Sequence, residues 1–291
     1  MPCKLELGLD RDMMIGRMFR RVPGSRRLAR RLGGLDGDNI VFRGNYASWD
    51  EAVRDAQGYD EPFILQRVRE ACRTARDRED RFERDGVLFE EPQWNFALIA
   101  CLLRTANECG GSLSVLDVGG ALGSVYFQSR PFLQGISALR WNVVEQPHFV
   151  TCGREEFEND TLRFFEDIES ALSAATADVA LLSSVLPYVP RPYRMIEEVA
   201  AARVPWLIVD RTPTLSAASD RIVVQHVPAW VYGRPVRYPA RLLAARRLRE
   251  VVEEHWPVVV DAEAIDPPMV SGQDRVTFRL LLGGPYVEKR L

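Results

Sequence analysis

The sequence of 291 residues is poor in the residues that most often bind metals or form disulfides. It has three histidines and five cysteines, with no His-Glu-x-x-His pattern, no Cys-x-x-Cys pair and no His/Cys cluster. Those patterns are the usual signatures of zinc sites and of disulfide or redox motifs. The sequence therefore predicts no metal site built from imidazole or thiolate, with a carboxylate-only site as the alternative. The odd number of scattered cysteines predicts reduced thiols.

Long apolar runs are also missing. The two longest, at 96–103 and 179–189, fall well short of the roughly 18 residues that a helix needs to cross a bilayer. No charged segment followed by an apolar one, as in a secretory leader, precedes the cysteines. We therefore expect a cytoplasmic chain with no transmembrane segment.

Lysine is nearly absent, since it occurs only twice, so arginine carries almost all the positive charge. Eight arginines and one acid lie between Arg11 and Arg31, although the formal net charge of the chain is -3. Proline and glycine interrupt any long amphipathic face in this region. Residues 1–35 are predicted to form a solvated, partly helical arm. Contact with phosphate or an anionic membrane is the alternative, and nucleic acid is not expected as the main partner.

Apolar residues make up 46% of the chain and charged residues 27%, which is the composition of an ordinary globular protein. Residues 36–110 are predicted to form a helical extension. Ser48 to Glu51 forms a capping box, apolar residues repeat at helical spacing from Ile64 to Ala75, and a further apolar helix is predicted over 93–108.

From residue 111 the pattern changes to short apolar strands that alternate with helical segments. The first five strands are rich in Val, Leu and Ile and have the spacing of parallel strands with helical crossovers. The last two lack a crossover helix, which favours an antiparallel hairpin at the sheet edge. The predicted strands are 113–118, 140–145, 161–165, 178–183, 206–210, 258–261 and 275–282. Residues 111–291 are thus predicted to be an α/β, Rossmann-like domain with a mostly parallel sheet.

The first of these strands runs into a glycine-rich turn. Residues 115–124 read Val-Leu-Asp-Val-Gly-Gly-Ala-Leu-Gly-Ser. Glycines let the backbone turn sharply and let a ligand lie against main-chain N–H groups. Glu145 ends the next strand, where a carboxylate can accept hydrogen bonds from both ribose hydroxyls of an adenosine. The combination predicts an adenosine-containing ligand, with a simple strand-to-helix turn as the alternative.

The dinucleotide fingerprint Gly-x-Gly-x-x-Gly fits this loop poorly. Aligned on Gly120 and Gly123, it requires a glycine where Val118 stands, and started at Gly119 it requires one at Ala121. An NAD-dependent dehydrogenase is therefore a minor alternative.

The loop instead resembles the first motif of class I S-adenosylmethionine-dependent methyltransferases, acid-x-Gly-x-Gly-x-Gly. In this chain it reads Asp117-x-Gly119-x-Ala121-x-Gly123, with alanine in place of the middle glycine. The strand order with a terminal hairpin also resembles that superfamily. A closer resemblance, over about residues 40–285, is to a branch of methyltransferases found in polysaccharide and secondary-metabolite gene clusters. The segments that carry it are 42–46 with Trp49, 58–60, 85–89, 116–124, 144–147, 183–188, 210–213 and 225–228.

The resemblance implies S-adenosylmethionine as the cofactor. The implied cofactor-binding residues are Asp117, Gly119, Gly120, Ala121 and Gly123 at the methionine end, Glu145 at the ribose with Gln146 beside it, Asp167 at the adenine amine, and Ser183 and Ser184 at the sulfonium. It also implies that residues 36–110 cover the acceptor side.

Methyl transfer needs an aligned acceptor and a base to remove its proton. Such a base is expected near the carboxyl ends of the strands, where ligands bind in open α/β sheets. The candidates are Tyr188, Asp210 and His226. His226 is favoured because an imidazole accepts a proton near neutral pH and aromatic residues flank its segment, with a structural histidine as the alternative.

The segment 211–241 is predicted to form part of a lid over the acceptor. Its arginines Arg211, Arg234 and Arg237 are candidates for binding a carboxylate or phosphate, with solvated surface arginines as the alternative. The predicted function is metal-independent methyl transfer to an oxygen or nitrogen of a small molecule or glycan precursor, with oxygen slightly preferred. The alternative is a non-catalytic binding module that keeps the fold within a biosynthetic assembly. The sequence predicts no oligomeric state.

Overall fold

The computed structural model describes residues 39–56, 62–78 and 80–285. The predicted basic arm, residues 1–35, lies outside the described residues. Among the helices that are described, none is long and apolar enough to span a membrane.

Strands and helices alternate along much of the described chain. They are β1 (Val41–Tyr46), α1 (Trp49–Asp55), α2 (Pro62–Asp77), β2 (Phe82–Arg84), β3 (Val87–Phe89), α3 (Phe96–Glu108), β4 (Ser112–Val118), α4 (Ser124–Ser129), β5 (Ala138–Val144), α5 (Pro147–Glu156), β6 (Leu162–Phe165), α6 (Ile168–Ala174), β7 (Val179–Ser183), α7 (Pro192–Ala201), β8 (Trp206–Leu215), β9 (Arg221–Val227), α8 (Ala229–Tyr232), β10 (Val236–Ala244), α9 (Ala245–Glu253), β11 (Val258–Glu263), β12 (Met269–Ser271) and β13 (Asp274–Gly283). Short 3₁₀ turns occur at Arg130–Phe132 and Leu186–Tyr188.

The centre of the molecule is a parallel sheet in the strand order β6-β5-β4-β7-β8. Strand β13 lies antiparallel beside β8, and β11 pairs antiparallel with β13. The predicted fold class, a mostly parallel sheet with a C-terminal antiparallel hairpin, is confirmed. In the dinucleotide-binding order 3-2-1-4-5-6 the sixth strand follows the fifth directly. In this chain the last strand, β13, lies between β8 and β11.

Helices cover both faces of this sheet. On one face Val115 of β4 belongs to a buried cluster with Leu102 of α3 and Phe149 of α5. On the other face the next residue of β4, Leu116, packs in a cluster with Ile196 of α7 and Leu248 of α9. Because both faces are buried, the central strands consist of nearly continuous apolar runs, which is why the sequence pattern predicts them well.

Strand β8 continues well beyond the end of β7. Its first half pairs with β7, from Trp206 to Asp210, while Thr214 and Leu215 pair with the end of β10. Strand β9 is antiparallel to β10, and β1 is antiparallel to β9. The segment 211–241, predicted as a lid, is therefore largely built of strands that extend the central sheet.

The N-terminal extension contains the predicted helices α1, α2 and α3, together with strand β1 and the hairpin β2–β3. The capping box is present at α1, since the Ser48 hydroxyl accepts a hydrogen bond from the Glu51 N–H, and the Glu51 carboxylate accepts one from the Ala47 N–H. Glycines end α3, and the Gly111 N–H donates to the Ala106 carbonyl at 2.8 Å.

Candidate functional site

The residues predicted to bind the cofactor, together with Asp210, lie at the carboxyl edge of the parallel sheet. The glycine-rich loop follows β4, Glu145 follows β5, and Asp167 follows β6. Ser183 is the last residue of β7, and it is in register with Asp210 of β8. Because all five strands run in the same direction, their carboxyl ends lie side by side.

The loop between β4 and α4 adopts a left-handed backbone at every second residue. The φ angles are 76° at Gly119, 49° at Ala121 and 88° at Gly123. Ala121 thus adopts the conformation expected of the glycine that it replaces in the motif. A Cβ at position 119 would lie 2.6 Å from a methyl carbon of Val185, so the loop packs directly against the segment after β7. A side chain at position 119 would fill this narrow space.

The carboxylate of Glu145 joins the loop to the end of β5. It accepts a hydrogen bond from the Gln146 N–H at 2.6 Å, and the Ala121 N–H lies nearby. Burial raises the pKa of Glu145, and these two N–H groups partly offset that effect. The acid predicted to hold a ribose therefore lies next to the glycine-rich loop.

Asp117 lies buried beneath the loop. The indole Nε1 of Trp141 donates to its Oδ2 at 2.9 Å, whereas its Oδ1 has no hydrogen-bond partner among the described residues. Burial raises the pKa of Asp117 to about 7. A Cβ at Gly120 would lie 2.5 Å from this carboxylate, so the loop closes tightly over it. No pattern in the sequence indicates the contact between Asp117 and Trp141, because the two residues lie on different strands, β4 and β5.

Replacing Asp117 with asparagine should raise the free energy of unfolding at pH 8 by about 2–4 kcal/mol. The pKa of the carboxyl is higher in the folded chain than in the unfolded chain, so the unfolded chain loses this proton first, and stability falls as the pH rises from about 4 to 7. An asparagine keeps an acceptor for Trp141 and does not ionise. Urea unfolding at pH 5 and pH 8 measures the effect, with the exposed Asp160→Asn as control. Parallel pH dependence in Asp117→Asn and the wild type would contradict the assignment.

Asp167 and Gln146 are both exposed at this edge. Asp167 begins α6, where its carboxylate accepts hydrogen bonds from the N–H at 2.7 Å and the hydroxyl at 2.9 Å of Ser170. These bonds lower the pKa of Asp167. Gln146 begins α5 without a side-chain cap. Both side chains border the end of the site formed by β5 and β6.

Asp210 is fully buried at the other end of the site, on β8. Its Oδ2 accepts hydrogen bonds from the Ser183 hydroxyl and from the Asn95 amide, both at 3.0 Å. Its Oδ1 has no partner in the described part of the chain. Burial raises the pKa of Asp210 to about 6, although Arg211, Ser183 and Asn95 act in the opposite direction.

Asn95 orients this carboxylate, and the sequence pattern did not indicate that role. Its own Oδ1 accepts from the Leu98 N–H at the start of α3, at 3.2 Å, so its amide nitrogen faces Asp210. The available signal was its position before an apolar helix, which is typical of an N-cap. Ser184, which follows Ser183, has a left-handed backbone, and its N–H donates to the Asp210 carbonyl at 3.0 Å.

An ion cluster lies next to Asp210. Arg211 pairs with Asp266, at 2.7 Å, and with Asp85 in the turn of the β2–β3 hairpin. Asp85 and Arg211 both have positive φ, 54° and 52°. Left-handed backbone at residues other than glycine is uncommon and is concentrated at functional sites. Arg211, predicted as an anion-binding residue, is therefore already paired with two carboxylates.

Tyr188 lies beside this cluster. Burial raises the pKa of its phenol, and the charge of Asp85 raises it further. Its ring contacts that of Tyr238 edge to face, with 5.4 Å between the centroids. Two of the three candidate bases, Asp210 and Tyr188, are thus neighbours of the same ion cluster.

His226, the favoured base, lies on the other face of β9. It pairs with Val41 and Arg237, whereas the preceding residue, Gln225, pairs with Tyr238. Because successive side chains of a strand point to opposite faces, His226 points away from the face that carries Tyr238. Burial and the charges of Arg43 and Arg237 lower its pKa, and Asp55 acts in the opposite direction. The structure thus places His226 on the face of β9 opposite Tyr238, and its role as a base stays a prediction.

The remaining predicted arginines lie on the same side as His226 or near it. Arg237 forms an ion pair with Asp55 of α1 at 3.6 Å, and the guanidinium of Arg234 lies over the Phe63 ring, 3.5 Å from its centroid. Within the described ranges, no group of three or more His, Cys, Asp or Glu side chains is arranged to hold a metal ion.

Comparisons with known proteins give matches in structure only. No protein-family model matches the sequence, and no curated protein matches it significantly. The N-terminal domain of EvdMO1, solved with SAH bound, is 16% identical with a TM-score of 0.44, and the match covers 79% of this chain and 98% of that one.

Two further structural matches cover more of the chain. Magnesium protoporphyrin IX methyltransferase from Synechocystis PCC 6803, with bound SAM, is 13% identical with a TM-score of 0.42, and the match covers 97% of this chain and 100% of that one. The 1,6-didemethyltoxoflavin-N1-methyltransferase from Burkholderia thailandensis, with bound S-adenosylhomocysteine, is 14% identical with a TM-score of 0.44. That match covers 87% of this chain and 99% of the other.

Proposed function

We propose that the protein is an S-adenosylmethionine-dependent methyltransferase that acts, without a metal, on an oxygen or nitrogen of a small molecule or glycan precursor. The observation that carries the proposal is the junction of the glycine-rich loop with Glu145. There the Ala121 N–H lies beside the carboxylate that ends the neighbouring strand and lowers its pKa. A positive-φ loop at one strand end and a carboxylate at the next are the two elements that an adenosine-containing cofactor requires.

The donor set of the site fits this cofactor. The loop from Gly119 to Gly123 needs glycine at position 119, where φ is 76° and a Cβ would overlap Val185 at 2.6 Å. The Oδ1 of Asp117, buried and without a partner among the described residues, is available to a positively charged group beside the loop. The order with β13 between β8 and β11 also resembles that of class I methyltransferases and differs from the dinucleotide-binding order.

The cofactor residues are assigned by their place along the sheet edge. Asp117, Gly119, Gly120, Ala121 and Gly123 hold the methionine end, Glu145 and Gln146 the ribose, Asp167 the adenine amine, and Ser183 and Ser184 border the sulfonium. Bound S-adenosylmethionine supplies a methyl group on a positively charged sulfur, which leaves with the electron pair of the broken carbon–sulfur bond.

Asp210 is the base in this proposal. Its Oδ2 is held by Ser183 and Asn95, so Oδ1 is the oxygen that accepts the acceptor's proton. With a pKa raised to about 6, the carboxylate is ionised at neutral pH and still a stronger base than an exposed aspartate. Tyr188 has a raised pKa and stays protonated, so it serves as a hydrogen-bond donor or as a wall of the site.

The first test is thermal unfolding with saturating S-adenosylhomocysteine, S-adenosylmethionine or NADH. A ligand at about 100 times its dissociation constant adds about 2.7 kcal/mol, which should raise the midpoint by about 4–5 °C for a chain of this size. We expect this shift with the first two ligands only. In Glu145→Ala the affinity for S-adenosylhomocysteine should fall at least about 100-fold, because two charge-assisted hydrogen bonds to the ribose are lost. The exposed Glu158→Ala serves as the matched control.

The same experiment separates the alternatives. A shift with NADH alone would favour a dehydrogenase. Binding of S-adenosylhomocysteine that survives Glu145→Ala unchanged would contradict the assigned site. Cofactor binding without turnover on any pathway intermediate would favour the non-catalytic binding module.

A further inference from the structure

The ion pair between Asp85 and Arg211 brings the residues that precede each partner, Arg84 and Asp210, towards each other. Arg84 precedes Asp85 at the end of β2, and Asp210 precedes Arg211 on β8. The pair joins the hairpin turn to β8, so the residues before each partner are close enough for their charges to interact. Arg84 is the residue of the N-terminal extension that this contact places beside the proposed base.

Arg84 is a half-buried arginine with an unsatisfied donor. Its Nη1 is buried and has no hydrogen-bond partner among the described residues, and its guanidinium lies over the Phe89 ring, 5.4 Å from the centroid. The neighbouring carboxylates of Asp85 and Asp266 are both engaged by Arg211. Burial lowers the pKa of Arg84, and the charge of Arg211 lowers it further. A buried guanidinium in this position needs an acceptor that the described residues do not supply.

Asp210 offers the complementary unsatisfied atom. Its Oδ2 already accepts two hydrogen bonds, whereas Oδ1 is buried and accepts none from the described residues. A hydroxyl satisfies a donor and an acceptor together, because its oxygen accepts from a guanidinium while its hydrogen is donated to a carboxylate. A neutral amine, the form of nitrogen that can attack a methyl group, has a single lone pair, and it cannot use that pair both to accept from the guanidinium and to attack the methyl carbon.

We propose that Arg84 and Asp210 together bind the reacting hydroxyl of the acceptor, and that this hydroxyl is an acidic one, as in a phenol or an enol. The inference rests on the proposed function and narrows it from oxygen or nitrogen to oxygen, and from small molecules and glycans to acidic hydroxyls. The proton passes from the acceptor O–H to Oδ1 of Asp210. The oxyanion that remains is paired with the guanidinium of Arg84.

The acidity of the hydroxyl follows from the strength of the base. The pKa of Asp210 is about 6, and that of an ordinary phenol, such as tyrosine, is about 10. A guanidinium next to the oxygen lowers the phenol pKa and narrows this gap. A sugar hydroxyl is a far weaker acid, and Asp210 would ionise it too rarely. The surroundings also suit an aromatic acceptor, since Phe89 and the Tyr188–Tyr238 pair lie around the ion cluster.

The test uses three probes of different acidity and charge: 4-nitrophenol, 4-nitroaniline and methyl glucoside. Titration of 4-nitrophenol with protein loaded with S-adenosylhomocysteine is followed by the visible absorption of the phenolate. We expect the pKa of bound 4-nitrophenol to fall by about 1 unit, a tenfold shift in ionisation. With deuterium-labelled S-adenosylmethionine, mass spectrometry should find the labelled methyl group on the phenol oxygen and on neither of the other probes.

Variants of Arg84 identify the source of the effect. Arg84→Gln should abolish the pKa shift and lower the rate of phenol methylation at least about 100-fold, whereas Arg84→Lys should keep part of both. Arg246→Gln, at an exposed arginine of α9 paired with Glu250, is the matched control. All variants should bind S-adenosylhomocysteine with the affinity of the wild type in calorimetry.

The outcomes distinguish this inference from the proposed function. If wild-type protein fails to bind S-adenosylhomocysteine, the proposed function is wrong. If it binds the cofactor, the inference is overturned by methylation of 4-nitroaniline or methyl glucoside in preference to the phenol, by no methylation of 4-nitrophenol, or by an unchanged phenol pKa in the wild type. Equal behaviour of Arg84→Gln and the wild type would overturn it as well.

Discussion

Replacing Asp210 with asparagine should lower the rate of methyl transfer by about 10²–10⁴-fold, the usual contribution of a positioned general base. The asparagine keeps the size of the side chain and one carboxamide oxygen. That oxygen can accept the hydrogen bonds from Ser183 and Asn95 that Oδ2 of Asp210 accepts in the wild type. It cannot take up a proton at neutral pH. Affinity for S-adenosylhomocysteine should stay within about threefold of the wild type by calorimetry, because our proposal assigns Asp210 to the acceptor's proton and Glu145 to the ribose.

The pH profile provides the sharper measurement. The rate in the wild type should rise with pH through about 6, since only ionised Asp210 accepts a proton. Asn95→Asp keeps the oxygen that caps α3 but replaces the donor to Asp210 with a like charge, which raises the pKa of Asp210. The acid limb should therefore move upward by about 1 unit or more. Asn95→Ser, which also caps a helix but places no charge there, should move it less.

Three results would contradict this role. They are a rate in Asp210→Asn within tenfold of the wild type, an acid limb unchanged in Asn95→Asp, and a loss of cofactor affinity equal to the loss of rate. The last would place Asp210 in cofactor binding instead of proton transfer.

Replacing Gly119 with valine should abolish measurable cofactor binding and lower the free energy of unfolding by about 3–5 kcal/mol. Part of this loss is backbone strain, because the φ angle of 76° is unfavourable for a β-branched residue by about 1–3 kcal/mol. The rest is steric overlap, since the new Cβ would lie 2.6 Å from Val185, and overpacking costs about 1–3 kcal/mol. The branched side chain would also occupy the space assigned to the methionine end.

Gly110→Val separates strain from overlap. Gly110 has nearly the same φ, 72°, and no atom within 4 Å of its hypothetical Cβ. We expect this control to lose about 1–3 kcal/mol of stability and to bind S-adenosylhomocysteine normally. Chemical denaturation and calorimetry on both variants measure the two effects. Normal cofactor binding in a folded Gly119→Val protein would show that the loop is a structural turn.

The parallel part of the fold could be predicted from the sequence because its information is local. Each central strand is a short apolar run between turn signals, and the burial of both faces explains that run. Strands β1, β9 and β10 carry no such pattern. Pro239 in β10 and the polar pair Gln225-His226 in β9 interrupt the apolar pattern. The pairing of β1 with β9 joins segments almost 200 residues apart, as between Val41 and His226.

The candidate site also has a part that could be predicted from the sequence and a part that could not. The glycine-rich loop and Glu145 each lie at the end of a predicted strand. Because these two strands are neighbours in the sheet, the loop and Glu145 lie side by side. Asn95, Asp85 and Asp266 reach Asp210 or Arg211 from distant parts of the chain, and no spacing in the sequence indicates their contact. The same holds for the interaction between the charges of Arg84 and Asp210. His226 could not be assigned to a face, because the face depends on the pairing of β9, and a shift of one residue would reverse it.

The length of β8 has a consequence for the movement of groups into and out of the site. Strand β8 runs from the parallel sheet into the ladder formed by β10, β9 and β1. These three strands can therefore move away from the site only if main-chain hydrogen bonds of the ladder break. The β2–β3 hairpin is a two-stranded sheet of its own, and its turn contacts β8 through the Asp85–Arg211 ion pair. An acceptor that entered between the hairpin and β8 would have to part this ion pair. In our proposal, entry by that route would therefore become easier as ionic strength rises, because salt weakens the pair.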